Sequence, residues 1–295
     1  MTTDLVPPAT TATPAVVAAT GATADRRLRG VLALLPAVAL LLCFFFYPVF
    51  HIVWLSFTDP EVGWGNYRDL LHDGVSVTVI VRTLVVSAGV AACAVLIAYP
   101  YAYAMTRVGP RMRGVLMVLV LMPFWTSLMA RNFAWYLIEQ RGGVIDQFFS
   151  FLGVQGVVLL GTLAGVAIAM VQVMLPFAVL PLYTSLSTID RRLMDAASSC
   201  GAPWARAFRT VYLPLSRPGL LSSFSLVMIL SLGFYITPAI LGSAQHSLVS
   251  QLIAVRVGDL LDFGAGGALG LVLLVLTLAI LALVATFARP RKESR

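Results

Sequence analysis

Apolar positions cluster into six long runs, near residues 31–54, 77–105, 115–138, 157–186, 220–241 and 267–288, separated by shorter polar stretches. Each run is long enough for a helix to cross a hydrocarbon core of roughly 30 Å. The pattern therefore predicts an all-α membrane protein with six transmembrane helices. Pro48, Pro100, Pro123, Pro176, Pro181 and Pro238 fall inside or near these runs, and they predict kinks or broken turns because proline removes a backbone donor and crowds the preceding turn. Such breaks survive in lipid only where neighbouring helices or a water-filled cavity satisfy the freed backbone groups.

The longest patterned interruption covers 187–219, and from Asp190 it reads DRRLMDAASSCGAPWARAFRTVYLPLSRPG. Asp190 can cap a helix reaching Cys200, and Gly201 suits the left-handed position that ends one. Pro203 fits the start of a second short helix, which Pro214 and Pro218 are expected to close. Asp195 lies beside two methyl-sized side chains, Ala196 and Ala197, so another surface can approach the backbone there. Arg206 and Arg209, three residues apart, share a helix face suited to acidic groups or phosphate. A solvated basic loop kept for orientation would use the same residues.

Composition agrees with a lipid solvent. The 295 residues are 59% hydrophobic and 11% charged, with a mean hydropathy of +0.92, against about 25% charged in soluble domains. The net charge of +7 must be sorted by membrane side before it suggests a nucleic-acid partner. With the amino terminus inside, the inner segments hold Arg26, Arg27, Arg29, Arg107, Arg111, Arg113, Arg191, Arg192, Arg206, Arg209, Arg217, Arg289, Arg291, Lys292 and Arg295, or 15 of the 20 basic residues. Only Arg68, Arg82, Arg131, Arg141 and Arg256 lie outside or within spans, and the outer loops are acidic. Both termini are thus expected in the cytoplasm, with 1–30 a disordered tail and 289–295 a short basic one. The run at 31–54 is too long for a signal-peptide core and reads as a retained first span. This distribution removes the nucleic-acid reading.

Candidate chemistry is sparse. Cys43, Cys93 and Cys200 show no disulfide or metal spacing, and His51, His72 and His246 form no ligand group. No phosphate-cradling GxxxxGK[ST] is present, nor any nucleophile–base grouping.

The loop residues carry a resemblance. Asp195-Ala196-Ala197, Gly201, Val211, Leu213 and Pro214 match the spacing EAA, three residues, G, nine residues, I, one residue, LP of permeases from binding-protein-dependent ABC importers. Asp195 stands where that family has Glu, one methylene shorter, and Val211 replaces Ile. Pro123-Phe124-Trp125-Thr126-Ser127 with Arg131, Leu175-Pro176-Phe177 leading to Pro181-Leu182-Tyr183, and Gly233 to Ala239 extend the resemblance, which is nearest to the spermidine/putrescine type. It implies a type I importer permease without catalysis or cofactor of its own. ATP and Mg would sit on a cytoplasmic ATPase dimer contacted by Asp195, Ala196, Ala197, Gly201, Arg206, Arg209, Leu213 and Pro214. A second, related permease, an extracytoplasmic solute-binding protein and a bacterial inner membrane complete the implied setting.

Polar or aromatic residues that interrupt the spans are candidates for the solute path: Trp125, Thr126, Ser127, Arg131, Asn132, Gln172, Tyr183, Tyr235 and Thr237. Arg131 sits beyond mid-span toward the outside, where snorkelling competes with a pathway role. No acidic residue is expected deep in a span, with Glu139 assigned to an outer loop. A carrier or channel working without ATP would call for ionisable residues paired within the spans or an internal repeat, and neither is evident. A simple membrane anchor would not need the interrupted spans.

Overall fold

The computed structural model describes residues 35–190 and 192–288, so the tails expected at 1–30 and 289–295, and Arg191, lie outside it. The described residues are helical, with no strand among them. In chain order the helices are α1 (Leu35–Thr58), α2 (Gly65–His72), α3 (Gly74–Arg107), α4 (Pro110–Leu121), α5 (Leu128–Glu139), α6 (Val144–Phe151), α7 (Leu163–Ser187) and α8 (Arg192–Ser199). They continue with α9 (Trp204–Leu232), α10 (Ile236–Leu241), α11 (Val249–Ala254) and α12 (Phe263–Ala288). Among the described residues, α1, α3, α7, α9 and α12 are each long and apolar enough to cross a membrane, and the pair from Pro110 to Phe151 makes a sixth, bent span.

The chain forms one compact unit up to Trp54 and a second from Leu55. In the first unit α1 exposes apolar side chains on all sides, Phe44 at 75% among them, as a helix in lipid or against a protein partner does.

The second unit is built on α3, α7 and α9. Asp73 starts α3 by accepting from the amides of Val75 and Ser76 at 3.1 and 3.2 Å and from the Ser76 hydroxyl at 2.6 Å. Ala91, Ala94, Ala98 and Ala102 then recur every three or four residues and are fully buried against Val166, Met170, Val173 and Leu182 of α7 and Val227 and Met228 of α9. In lipid there is little hydrophobic drive between helices, so small side chains stabilise the bundle by letting backbones approach closely. Gly219 of α9 is the extreme case: a Cβ there would lie 2.5 Å from the Cβ of Ser185 on α7.

The prolines fall into two groups. Helices α3 and α7 run without interruption through Pro100, Pro176 and Pro181, and α9 runs through Pro214 and Pro218, so these last two do not close a short loop helix. A π turn at Phe208–Tyr212 sits immediately before Pro214. It widens the coil where the ring would press on the preceding turn. Pro123, one of the prolines expected to kink or break a span, does so: the run over 115–138 is α4, a 3₁₀ turn at Met122–Trp125 and α5, with a bend of 92° between the two halves. Similarly, the span expected over 220–241 ends at Leu232 and resumes as the short α10.

Overpacking a close helix contact costs about 1–3 kcal/mol. Gly219→Val is therefore expected to lower the thermal midpoint of the detergent-solubilised chain clearly, whereas Gly233→Val, which meets nothing within 4 Å, is expected to change it far less. Equal midpoints for the two variants would remove the α7–α9 contact as a constraint.

Candidate functional site: the coupling loop and the broken span

The loop between α7 and α9 folds as its punctuation suggests at its start. The carboxylate of Asp190 accepts from the amide of Arg192 at 2.9 Å, which occupies one orphan donor of α8. At the other end Gly201 has φ +82°. The amide of Gly201 donates to Ser198 O at 2.9 Å and that of Ala202 to Ala197 O at 3.1 Å, the paired bonds of a Schellman turn. Pro203 then accepts from Arg206 and Ala207 at 2.9 and 3.0 Å and opens α9.

This turn gives α8 two faces. Met194 is buried and Ala197 half-buried, while Asp195, Ala196 and Gly201 are exposed, as are Leu193, Trp204, Arg206 and Arg209. Leu213 is also exposed and Pro214 half-buried. Of the residues singled out at the loop, six are thus exposed, and Ala197 and Pro214 are half-buried. Exposed Leu193 (44%) and Trp204 (60%) beside Asp195 make the loop's surface partly apolar, as surfaces that receive another protein often are.

At the other candidate site the residues separate. Arg131 neither snorkels free nor faces an open path. Its Nη2 donates to Pro123 O at 2.8 Å and to Thr126 O at 3.4 Å, the carbonyls exposed by the break, and the Thr126 hydroxyl adds a bond to Pro123 O at 2.9 Å. The arginine staples the interrupted turn. Asn132 and Thr237 are buried, and the Thr237 hydroxyl donates to Asn132 Oδ1 at 2.7 Å, which locks α5 to α10. Gln172 accepts from the Trp135 indole at 3.4 Å, tying α5 to α7. Trp125, Thr126, Ser127 and Tyr235 are exposed. Tyr183 stands three turns further along α7 than Gln172, about 16 Å away at 1.5 Å per residue, among residues near the coupling loop. The nine residues thus divide between buried contacts of α5, exposed positions at the break and α10, and the far end of α7.

Glu139 is the site residue that sequence reasoning missed. It ends α5, is fully buried, and is the one charged side chain in the buried class among the described residues. Neither carboxylate oxygen has a hydrogen-bond partner among them. The carboxylate packs against Gly165 on α7, where a Cβ would come within 2.5 Å of Oε2. The signal was present in the spacing: Asn132, Trp135 and Glu139 fall at i, i+3 and i+7 on one face of a helix. The reading of the span as ending at 138 put Glu139 in an outer loop.

On the opposite side of the unit, Arg256 lies 3.3 Å from Asp262 and 3.8 Å from Asp73. The Ser76 hydroxyl and the Val75 amide hold the Asp73 carboxyl below its usual range, with Arg256 adding to the effect. No group of three or more metal-ligating side chains is present among the described residues.

A bundle of membrane-length helices with a broken span defines a multi-pass membrane protein. Residues 94–291 match the family described as binding-protein-dependent transport system inner membrane component, and the chain belongs to that family. It is 28% identical over 222 residues to the spermidine/putrescine transport system permease protein PotB of Escherichia coli (strain K12), covering 75% of this chain and 80% of that protein. It is 30% identical over 214 residues to PotB of Haemophilus influenzae, covering 71% and 74%. A bacterial ABC transporter involved in importing the acidic polysaccharide alginate superposes with a TM-score of 0.71 at 16% identity, over 92% of this chain and 99% of the matched one, which shows a shared fold. The chain is a multi-pass inner-membrane permease subunit of an ABC importer, a transport component and not an enzyme.

Burying a polar group without a partner costs about 1–3 kcal/mol. Glu139→Met keeps the side-chain length and removes that cost, so the solubilised variant is expected to melt above the parent chain. A lower melting temperature would mean that Glu139 holds a stabilising partner after all.

Proposed function

We propose that this chain is one of two related permeases in an importer of small cationic amines of the putrescine or spermidine class. An extracytoplasmic binding protein delivers the solute, and a cytoplasmic ATPase dimer, which holds ATP and Mg, drives the cycle. Both termini lie in the cytoplasm in this reading, as the arginine distribution favours. The observation that carries it is the geometry of the coupling loop. Asp195, Ala196 and Gly201 are each exposed, and α9 leads from the turn after Gly201 as one helix of 29 residues into the bundle core. At 1.5 Å per residue this element is about 44 Å long, so a displacement of α8 by the ATPase is carried to the α3–α7 seam.

The amine class is supported by the similarity to the spermidine/putrescine permeases PotB and by Glu139. A carboxylate with no partner inside the bundle suits a solute that brings its own positive charge when the helices part. ATP closure favours one of two bundle arrangements only through the difference in contact free energy between them.

The test is uptake of putrescine, spermidine and an uncharged control into proteoliposomes holding the complete complex with its binding protein. The amines are expected to enter with ATP, and transport of the control instead would refute the substrate class. Asp195→Lys and Gly201→Asp are each expected to leave a correctly inserted chain while separating ATP hydrolysis from uptake. If transport and ATPase coupling survived both changes, the coupling assignment would be wrong.

A further inference from the structure

Behind the coupling helix lies a cleft that transport itself does not explain. It is bounded by the last turn of α3, the first turn of α4, the end of α7 and α8, has a volume of about 120 Å³, and is lined by residues that include Thr106, Arg107, Arg113, Tyr183, Met194 and Tyr212. No carboxylate lines it. Two guanidinium groups and two phenols therefore converge on a space without a counter-charge of its own. The neighbouring acids are occupied or turned away: Asp190 accepts from the Arg192 amide at 2.9 Å, and Asp195 lies on the exposed face of α8.

The arginines differ in how they are held. Arg107 is exposed and is braced along its own helix by bonds from Nε and Nη2 to the Tyr103 hydroxyl at 3.0 and 2.7 Å. Arg113 has its Nε shielded from solvent and without a partner among the described residues. Buried donors of that kind are normally satisfied, and a guanidinium left wanting an acceptor is best served by an oxyanion that takes bidentate bonds. The space is well below the roughly 300–1,000 Å³ of pockets that engulf a whole small molecule. It admits a phosphate group and excludes a nucleotide.

We propose that this cleft binds a phosphate group between Arg107 and Arg113, and that its occupancy sets how firmly the coupling helix is held to the bundle. The link is structural, because Met194 of α8 and Tyr212 of the π turn in α9 form part of the same wall. The phosphate can come from an anionic lipid headgroup, which is enriched at the inner membrane surface, or from free inorganic phosphate. Placement at the cytoplasmic surface rests on the orientation proposed above, whereas the binding chemistry does not.

The test uses the complete complex, delipidated in detergent and titrated separately with phosphatidylglycerol and with inorganic phosphate. Retained species are read by native mass spectrometry and the thermal midpoint is followed alongside. One phosphate-bearing species per copy of this chain is expected, with a rise in midpoint; saturation by the lipid alone identifies the headgroup as source, and saturation by phosphate alone identifies the free anion. Arg107→Gln and Arg113→Gln are each expected to weaken binding roughly fivefold, the scale of one arginine near an anionic surface. Arg111→Gln, exposed and outside the cleft, is expected to leave binding unchanged. Should the arginine variants fail to assemble, Met194→Trp fills the cleft without changing charge and is expected to abolish binding. Absence of binding by the parent complex in both titrations, or full binding by the double arginine variant or by Met194→Trp, overturns the proposal. None of these outcomes bears on which solute is carried.

Discussion

At the break in the third span one arginine donates to two main-chain carbonyls. In lipid no water is available to a backbone group that loses its helical partner, and each one left unsatisfied costs several kcal/mol. Pro123 interrupts the third span, and Arg131 repairs it by donating to Pro123 O and Thr126 O. With those carbonyls held, the chain can turn through 92°, and α5 lies against α7 and α10. The bonds from Thr237 to Asn132 and from Trp135 to Gln172 exist only because that turn has been made. Glu139 follows one turn later, buried by the same packing.

Two kinds of interface result, and they suit different tasks. The seam of α3, α7 and α9 is lined by alanines with Gly219 against Ser185, and close packing of this kind resists gradual deformation. Such a seam moves as a body. The contacts of α5 are single polar pairs at its two neighbours, each of which can be exchanged for another partner at modest net cost. A transport subunit needs both, since a displacement must be carried without loss through one part and released as a rearrangement in another. The loop between α7 and α9 enters the rigid part directly, because α9 continues from it without a hinge other than the π turn at Phe208–Tyr212.

Much of this was legible in the sequence, and the failures share a cause. The apolar runs located the membrane-length helices because lipid leaves long apolar segments few alternatives. Gly201 was legible because its positive φ and the preceding cap are local events. The prolines were not, because whether a proline breaks a helix depends on what replaces the lost bond. Pro100, Pro176 and Pro181 stay within continuous helices, and Pro123 does not. Arg131 and Asn132 were recognised as unusual without their partners being visible, since those partners lie across a bend that no periodicity announces. Glu139 was lost for the same reason: an expected span ending at 138 leaves it outside.

Arginine shows why counting charges is informative and still insufficient. The bias of basic residues toward one set of loops orients the chain as a sum, and each member of the sum is treated alike. In the fold they differ. Arg256 joins Asp73 and Asp262 in partly exposed contacts that are individually worth little, yet they draw the starts of α3 and α12 together. Arg131 faces no carboxylate, and its Nη2 donates to two carbonyl oxygens while its Nε is shielded and without a partner among the described residues. Arg113 has a shielded donor left over beside the helix on which coupling turns. The same guanidinium, with five donors in a rigid fork, therefore acts as a surface clasp, a backbone repair and an open demand for an anion. The acceptors that the helices bring within reach decide which of the three it becomes.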